Sequence, residues 1–209
     1  MSHAENAEGA DNLSVLCVLA PSPKLWSVGD CVKLSDDFRR ETAMIILGVD
    51  PGLAKTGCAV IRVTGDLLAP LTYGVISTKK EEPLATRLKA IYDGIGALCR
   101  EYRPEVMAIE EIFFAANVKT AVAVAQARGV AILATEECGL ALAQYSPLRI
   151  KQTIVGYGRA TKEQVQKMVK EILSLDKIPR PDHAADALAV ALCYVFHNNI
   201  KIMSGRSVQ

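Results

Sequence analysis

The chain has 209 residues, half of them apolar and 22% charged, with a formal net charge of +1. This composition suits one α/β domain with a substantial core and some length to spare. No apolar run approaches the roughly 18 residues that a helical membrane span needs. The six cysteines show no CxxC pair and no zinc-finger spacing with histidine, which predicts reduced, mostly buried thiols and a cytoplasmic protein.

Residues 1–43 hold four Lys/Arg against seven Asp/Glu, so −3, which leaves +4 for residues 44–209. The first segment mixes small, polar and acidic residues with Pro21 and Pro23 and has no sustained periodicity. It is predicted to be a poorly ordered N-terminal extension. Its apolar stretch, 13–20, is short and follows Glu5, Glu8 and Asp11 where a secretory signal would carry basic residues. Met44 opens the first regular strand and is a candidate start codon. The basic balance of the remainder can attract a phosphate backbone, a property shared with many proteins that bind no nucleic acid.

From Met44 the pattern is regular. Residues 44–50 (MIILGVD) form an apolar run that ends in an acid, the mark of a central strand buried on both faces. Asp50, Pro51 and Gly52 make a turn. Residues 57–63 and 71–77 read as two further strands joined by a turn at Gly65 and Asp66. A helix over 84–102 places Leu84, Leu88, Ile91, Ile95 and Leu98 on one face and stops before Pro104. Residues 106–110 (VMAIE) are a short buried strand, again ending in an acid. Asn117 is a candidate N-cap for a helix over 118–137, in which Ala121, Ala125 and Gly129 form a stripe of small residues open to close packing. A strand over 140–145 and a short helix over 147–155 follow. Thr161 and Gln164 make a capping box that opens a helix over 162–174. Pro179 and Pro181 stiffen the linker to a last helix over 182–197.

Three leading strands with no helix between them imply an antiparallel meander. The later alternation of strand and helix implies parallel additions to the same sheet. The expected fold is therefore a ribonuclease H-like mixed five-stranded sheet flanked by helices, occupying residues 44–200 and followed by a flexible tail over 201–209.

Asp50 and Glu110 each end a hydrophobic strand. If those strands are parallel neighbours, both acids emerge at one edge of the sheet, where ligands of open α/β sheets bind. His183 and Asp186 lie three apart in the first turn of the last helix, so on one face and near its positive end. Three carboxylates converging with an imidazole repel one another unless a cation joins them. Oxygen ligands suit Mg²⁺, and Mn²⁺ tolerates imidazole better. Two such ions about 4 Å apart can activate water and stabilise a leaving oxygen in phosphoryl displacement. Alternatives remain at each position. Asp50 could serve only the turn, Glu111 could be the ligand in place of Glu110, and Asp182 could be a ligand in place of His183, although the N-cap role suits it better.

Five segments in order resemble the RuvC family of Holliday-junction resolvases: 48–57 (GVDPGLAKTG), 108–114 (AIEEIFF), 126–132 (QARGVAI), 149–156 (RIKQTIVG) and 182–192 (DHAADALAVAL). Together they span most of 44–197, and nothing in 1–43 matches. The resemblance implies an endodeoxyribonuclease that nicks Holliday junctions symmetrically, with Asp50, Glu110, His183 and Asp186 as catalytic metal ligands for two Mg²⁺. It also implies DNA contacts by Phe113, which would stack on bases, and by Asn117, Lys151 and Lys162. It further implies a homodimer working with the RuvA–RuvB branch-migration complex. The alternatives are an RNA-processing nuclease of the same fold, of the YqgF type, an actin-like sugar kinase, whose first strand also ends in an acid and a glycine turn, and a junction-binding protein without catalysis.

Overall fold

A computed structural model describes residues 15–19, 43–112 and 118–204. Its centre is a six-stranded mixed sheet flanked by five helices, with spatial strand order β1-β4-β3-β2-β5-β6. The strands are β1 (Val15–Leu19), β2 (Met44–Asp50), β3 (Lys55–Thr64), β4 (Leu67–Ser77), β5 (Val106–Glu110) and β6 (Ala141–Tyr145). The helices are α1 (Leu84–Tyr102), α2 (Val118–Glu137), α3 (Pro147–Val155), α4 (Lys162–Ile172) and α5 (Asp182–Ser204). β2, β3 and β4 form the expected antiparallel meander, and β5 and β6 add in parallel beside β2. None of the helices is long and apolar enough to cross a membrane among the described residues.

Two features depart from expectation. The sheet has a sixth strand, because Val15–Leu19 (VLCVL) pairs antiparallel with β4, Val15 opposite Ile76 and Leu19 opposite Thr72. Five consecutive apolar residues have high strand propensity, and β4 would otherwise present an unpaired edge. The rest of 1–42 lies outside the described residues. The last helix also continues to Ser204, beyond its expected end at residue 197 and into the segment expected as a tail. Its sequence there, NNIKIMS, contains no proline or glycine to stop it.

The sheet separates two cores, and strand alternation sorts the residues between them. On one face Ile46, Val106 and Ala108 meet α3, α4 and α5 through Ile150, Val165, Val169, Leu188 and Leu192. On the other, Leu47, Val49, Met107 and Ile109 meet α1 and α2 through Ile91, Ile95, Ala127, Ala131 and Ala134. Of the small-residue stripe on α2, Ala121 is buried, whereas Ala125 and Gly129 face outward. Val122 and Leu133 join them on that outer surface, 52% and 54% exposed.

α5 is apolar nearly all round. Ala184, Ala185, Ala187, Leu188, Ala189, Val190, Ala191, Leu192 and Cys193 are all buried, as a helix lying between a sheet and two covering helices must be. Its alanines allow close approach, and two glycines of the sheet complete it. A Cβ on Gly48 would stand 2.2 Å from the Ala187 carbonyl oxygen, and one on Gly57 would stand 2.0 Å from that of His183. Backbone therefore lies against backbone along the first turns of α5.

The close contact predicts that Gly57→Ala and Gly48→Ala each lower unfolding free energy by about 3 kcal/mol or more, at the upper end of overpacking costs. Denaturant titration measures this. A loss under ~1 kcal/mol would mean that α5 can back away from the sheet.

Candidate metal centre

The register of the sheet brings the two strand-end acids together. β2 and β5 are parallel, with Val49 opposite Ile109, so Asp50 and Glu110 lie one step further at the same edge. Counting alternately from Ile46 and Ala108, both side chains face α5. The same parity turns Glu111 away. It is exposed, and its amide donates to the Tyr145 carbonyl at 2.8 Å. Glu110 is thus the acid that faces the cluster.

α5 supplies the remainder. His183 Nδ1 lies 2.7 Å from Asp50 Oδ2. Ligand atoms of Asp50, His183 and Asp186 all fall within 4.8 Å of one another. Asp182 does not join them. It is the first residue of α5 rather than its N-cap, since the Pro181 carbonyl accepts from the Ala184 amide at 2.9 Å. Its carboxylate pairs with Arg180 and is held below its ordinary pKa, first by a hydrogen bond with Gln166 and then by Lys162.

Lys162 is the first residue of α4, fixed there by the reciprocal hydrogen bonds of Thr161 and Gln164 that the sequence foretold. Its Nζ donates to Asp186 Oδ2 at 2.7 Å and stands 3.9 Å from Asp182. Lys151 on α3 lines the same cleft of about 230 Å³ as Glu110, Lys162 and Asp186. Phe113 and Asn117, expected to contact DNA, lie outside the described residues.

The electrostatics mark the cluster as short of positive charge. The Glu110 carboxyl is pushed up from 4.5 to about 8, first by burial and then by the charges of Asp50 and Asp186. Asp186 is also raised, chiefly by burial, although Lys162 opposes this. His183 is raised mainly by its hydrogen bond to Asp50. Burial alone would lower Lys162, yet Asp186, Asp182 and Asp50 outweigh it and its pKa rises. Glu110, Asp186, His183 and Lys162 thus each shift toward holding a proton, which is the response to unneutralised carboxylates.

The donor set fits a small hard cation. Metal–oxygen bonds of about 2.1 Å put opposite ligands on a Mg²⁺ about 4.2 Å apart, and the present atoms need close in only slightly. An imidazole beside carboxylates also admits Mn²⁺.

Several supporting residues were given no role by the sequence, although Thr56 and Arg128 lie in segments that carry the resemblance. The turn after Asp50 is held by Thr56 Oγ1 donating to the Gly52 carbonyl at 2.8 Å and Thr78 Oγ1 to that of Leu53 at 2.6 Å. Arg87 Nε in turn donates to Thr78 Oγ1 at 2.9 Å. On the other face of the sheet, Arg128 Nε donates to the Glu110 carbonyl at 3.3 Å, and its Nη2 bonds to Gln144 Oε1. Hydroxyls and a guanidinium at such spacings look in sequence like ordinary surface residues.

Comparison with known proteins gives a consistent answer. A family model described as "Crossover junction endodeoxyribonuclease RuvC" matches residues 46–194. The chain is 50% identical to a protein of that name from Desulforamulus reducens over 151 residues, covering 72% of this chain and 93% of the relative. It is 52% identical to one from Natranaerobius thermophilus over 151 residues, covering 72% and 94%. Its fold superimposes on T. thermophilus RuvC, solved in complex with a Holliday junction substrate, with a TM-score of 0.72 and 36% identity over 76% of this chain and 96% of that one.

In chelator, the raised Glu110 pKa makes a signed prediction. The folded protein keeps a proton that the unfolded chain releases near the usual 4.5, so stability falls as pH rises from about 5 through about 8. Glu110→Gln should flatten that decline and be no less stable than the parent at pH 8, while losing the rise in melting temperature on adding Mn²⁺. A steeper decline in the variant, by denaturant titration at several pH values, would contradict the electrostatic account.

Proposed function

Because the chain belongs to the RuvC family of crossover junction endodeoxyribonucleases, we propose that it nicks two symmetric strands of a four-way DNA junction, leaving 5′-phosphate and 3′-hydroxyl ends. The observation that carries this reading is the convergence of Asp50, His183 and Asp186, with Glu110 beside them, at a cleft lined by Lys151 and Lys162. The relative solved with a Holliday junction supports the choice of substrate.

In this reading Asp50, Glu110, His183 and Asp186 hold two Mg²⁺ ions, for which Mn²⁺ can substitute. When bound, such ions acidify water and offset the charge of the attacked phosphate. The remaining work falls to the protein. Asp50, at the end of a central strand and between His183 and Glu110, is the natural shared ligand. It fixes the imidazole of His183 by hydrogen bonding, so that ring completes the second position or orients the attacking water. Lys162 shields Asp186 and so reduces the repulsion that an acidic cluster presents to polyanionic DNA. It also opens a capped helix, whose N-terminal amides favour phosphate. Lys151 adds charge on the neighbouring wall. Phe113 stacks on bases near the crossover, a contact worth about 1–3 kcal/mol per base, and Asn117 adds a further DNA contact.

A homodimer suits the substrate, because a four-way junction is two-fold symmetric and a C2 dimer offers it two equivalent sites. The outward face of α2, with Val122, Ala125, Gly129 and Leu133, supports this assembly. A Cβ on Gly129 would meet nothing within 4 Å inside one chain, so the surface is open to a close partner. By family resemblance the enzyme acts with the RuvA–RuvB complex in recombinational repair, in the cytoplasm.

Two experiments test the proposal. With a synthetic four-way junction, the protein should nick in Mg²⁺ or Mn²⁺ and not in EDTA, and should leave RNA–DNA hybrids intact. Asp50→Asn should keep junction affinity within about threefold while cleavage falls at least ~10³-fold, a difference of about 4 kcal/mol in barrier. Undiminished cleavage by that variant would reject the site. Leu133→Glu should shift the protein to monomer in analytical ultracentrifugation, and a retained dimer would place the interface elsewhere.

A further inference from the structure

Among the segments with family resemblance, 126–132 (QARGVAI) has no role in the chemistry described so far. Arg128 is its charged member, and its position is unusual. It belongs to α2, on the face of the sheet opposite α5, yet its guanidinium reaches the end of β5. Nε donates to the backbone carbonyl of Glu110, the residue whose side chain faces the acidic cluster. Nη2 reaches Gln144 on β6, beside Tyr145, whose carbonyl accepts the Glu111 amide. Two strand ends and one helix are thus tied at the point where the sheet stops.

The need for such a tie follows from the position of Glu110. The parallel register between β2 and β5 runs as far as Val49 opposite Ile109, so the Glu110 peptide is held on the β6 side, opposite Tyr145, and lies beyond the ladder on the β2 side. A side chain moves with its peptide, and Glu110 is buried close to Asp50 and Asp186, so a small shift of that peptide carries its carboxyl group out of place. An Arg fork that fixes two acceptors at once limits both shift and twist of that peptide. On the exposed side, Arg128 adjoins Gly129 on the outer face of α2.

We infer that Arg128 is a positioning residue: through the Glu110 carbonyl it sets the placement of the Glu110 carboxylate, and it links the outward face of α2 to the metal-holding cluster. This inference rests on the reading of Glu110 as a ligand. Residues that orient metal ligands from behind typically change metal affinity or activity by about 10–100-fold when removed.

The test compares the full-length chain with Arg128→Ala, Arg128→Lys, Gln144→Ala and Glu110→Gln. Mn²⁺ affinity is measured by calorimetry without DNA, junction affinity in EDTA, kcat and KM on a synthetic junction, and melting temperature in EDTA. Arg128→Ala should bind Mn²⁺ about 10–100-fold more weakly and lose kcat by a similar factor, with junction affinity and melting temperature close to the parent. Arg128→Lys, which keeps one charged donor, should recover part of the loss, and Gln144→Ala should show a smaller loss in the same direction. Parental Mn²⁺ affinity and kcat in Arg128→Ala would overturn the inference. So would a loss that merely follows a fall in melting temperature and that lysine does not relieve. If Arg128→Ala does not fold, the lysine and Gln144 variants decide by the same criteria. Glu110→Gln separates the two levels: parental Mn²⁺ affinity there defeats the reading of the site, whereas a loss there with none in the Arg128 variants defeats only the link.

Discussion

The contact between α5 and the bare backbone of β2 and β3 is what the rest of the molecule depends on. A helix normally stands off a sheet by the thickness of its side chains. Here Gly48 and Gly57 remove that thickness on one side, and the alanines of α5 remove it on the other. The first turn of α5 thereby comes down beside the end of β2, and His183 meets Asp50 at hydrogen-bond distance. No side chain has to reach far. The short carboxylates of Asp50 and Asp186 come within reach of one another and of His183 only because the backbones that carry them are so close.

That closeness has an electrostatic cost, and the fold meets it with groups of graded strength. Lys162 neutralises Asp186 from a helix whose start is fixed by its own capping box. His183 hydrogen-bonds Asp50 through Nδ1 at 2.7 Å. Glu110, with neither partner, is left to retain a proton. The same ordering suits the proposed cation better than further protein cations would. A lysine can approach one carboxylate from the side, whereas an ion between several ligands satisfies them together.

Much of this was legible in the sequence, for identifiable reasons. Asp50 and Glu110 stood out because each interrupts an apolar run at the point where the strand must end. Their shared face follows from strand parity, which also decides between Glu110 and Glu111 once the register is known. Thr161 and Gln164 were readable because a capping box is local. What escaped depends on contacts distant in sequence. Arg128 and Gln144 are separated by 16 residues and meet only through the packing of α2 under β5 and β6. Arg87 and Thr78 likewise become a brace for the turn after Asp50 only when α1 folds back. The strand at Val15–Leu19 was hidden by its surroundings, since a five-residue apolar run among acidic and proline-rich residues gives no periodicity to read. The small-residue stripe on α2 was visible as a stripe, but which of its members would be covered could not be read from a helix that is apolar on several sides.

The partition of the interior into two cores has an evolutionary consequence. Residues that shape the ion-holding pocket pack on one side of the sheet, and those behind the outward helix α2 pack on the other. Substitutions on the outward face of α2 can therefore accumulate without disturbing the acidic cluster, provided the few side chains that cross between the sides are kept. A lineage built this way is free to vary one outer surface while the cluster on the opposite side stays fixed.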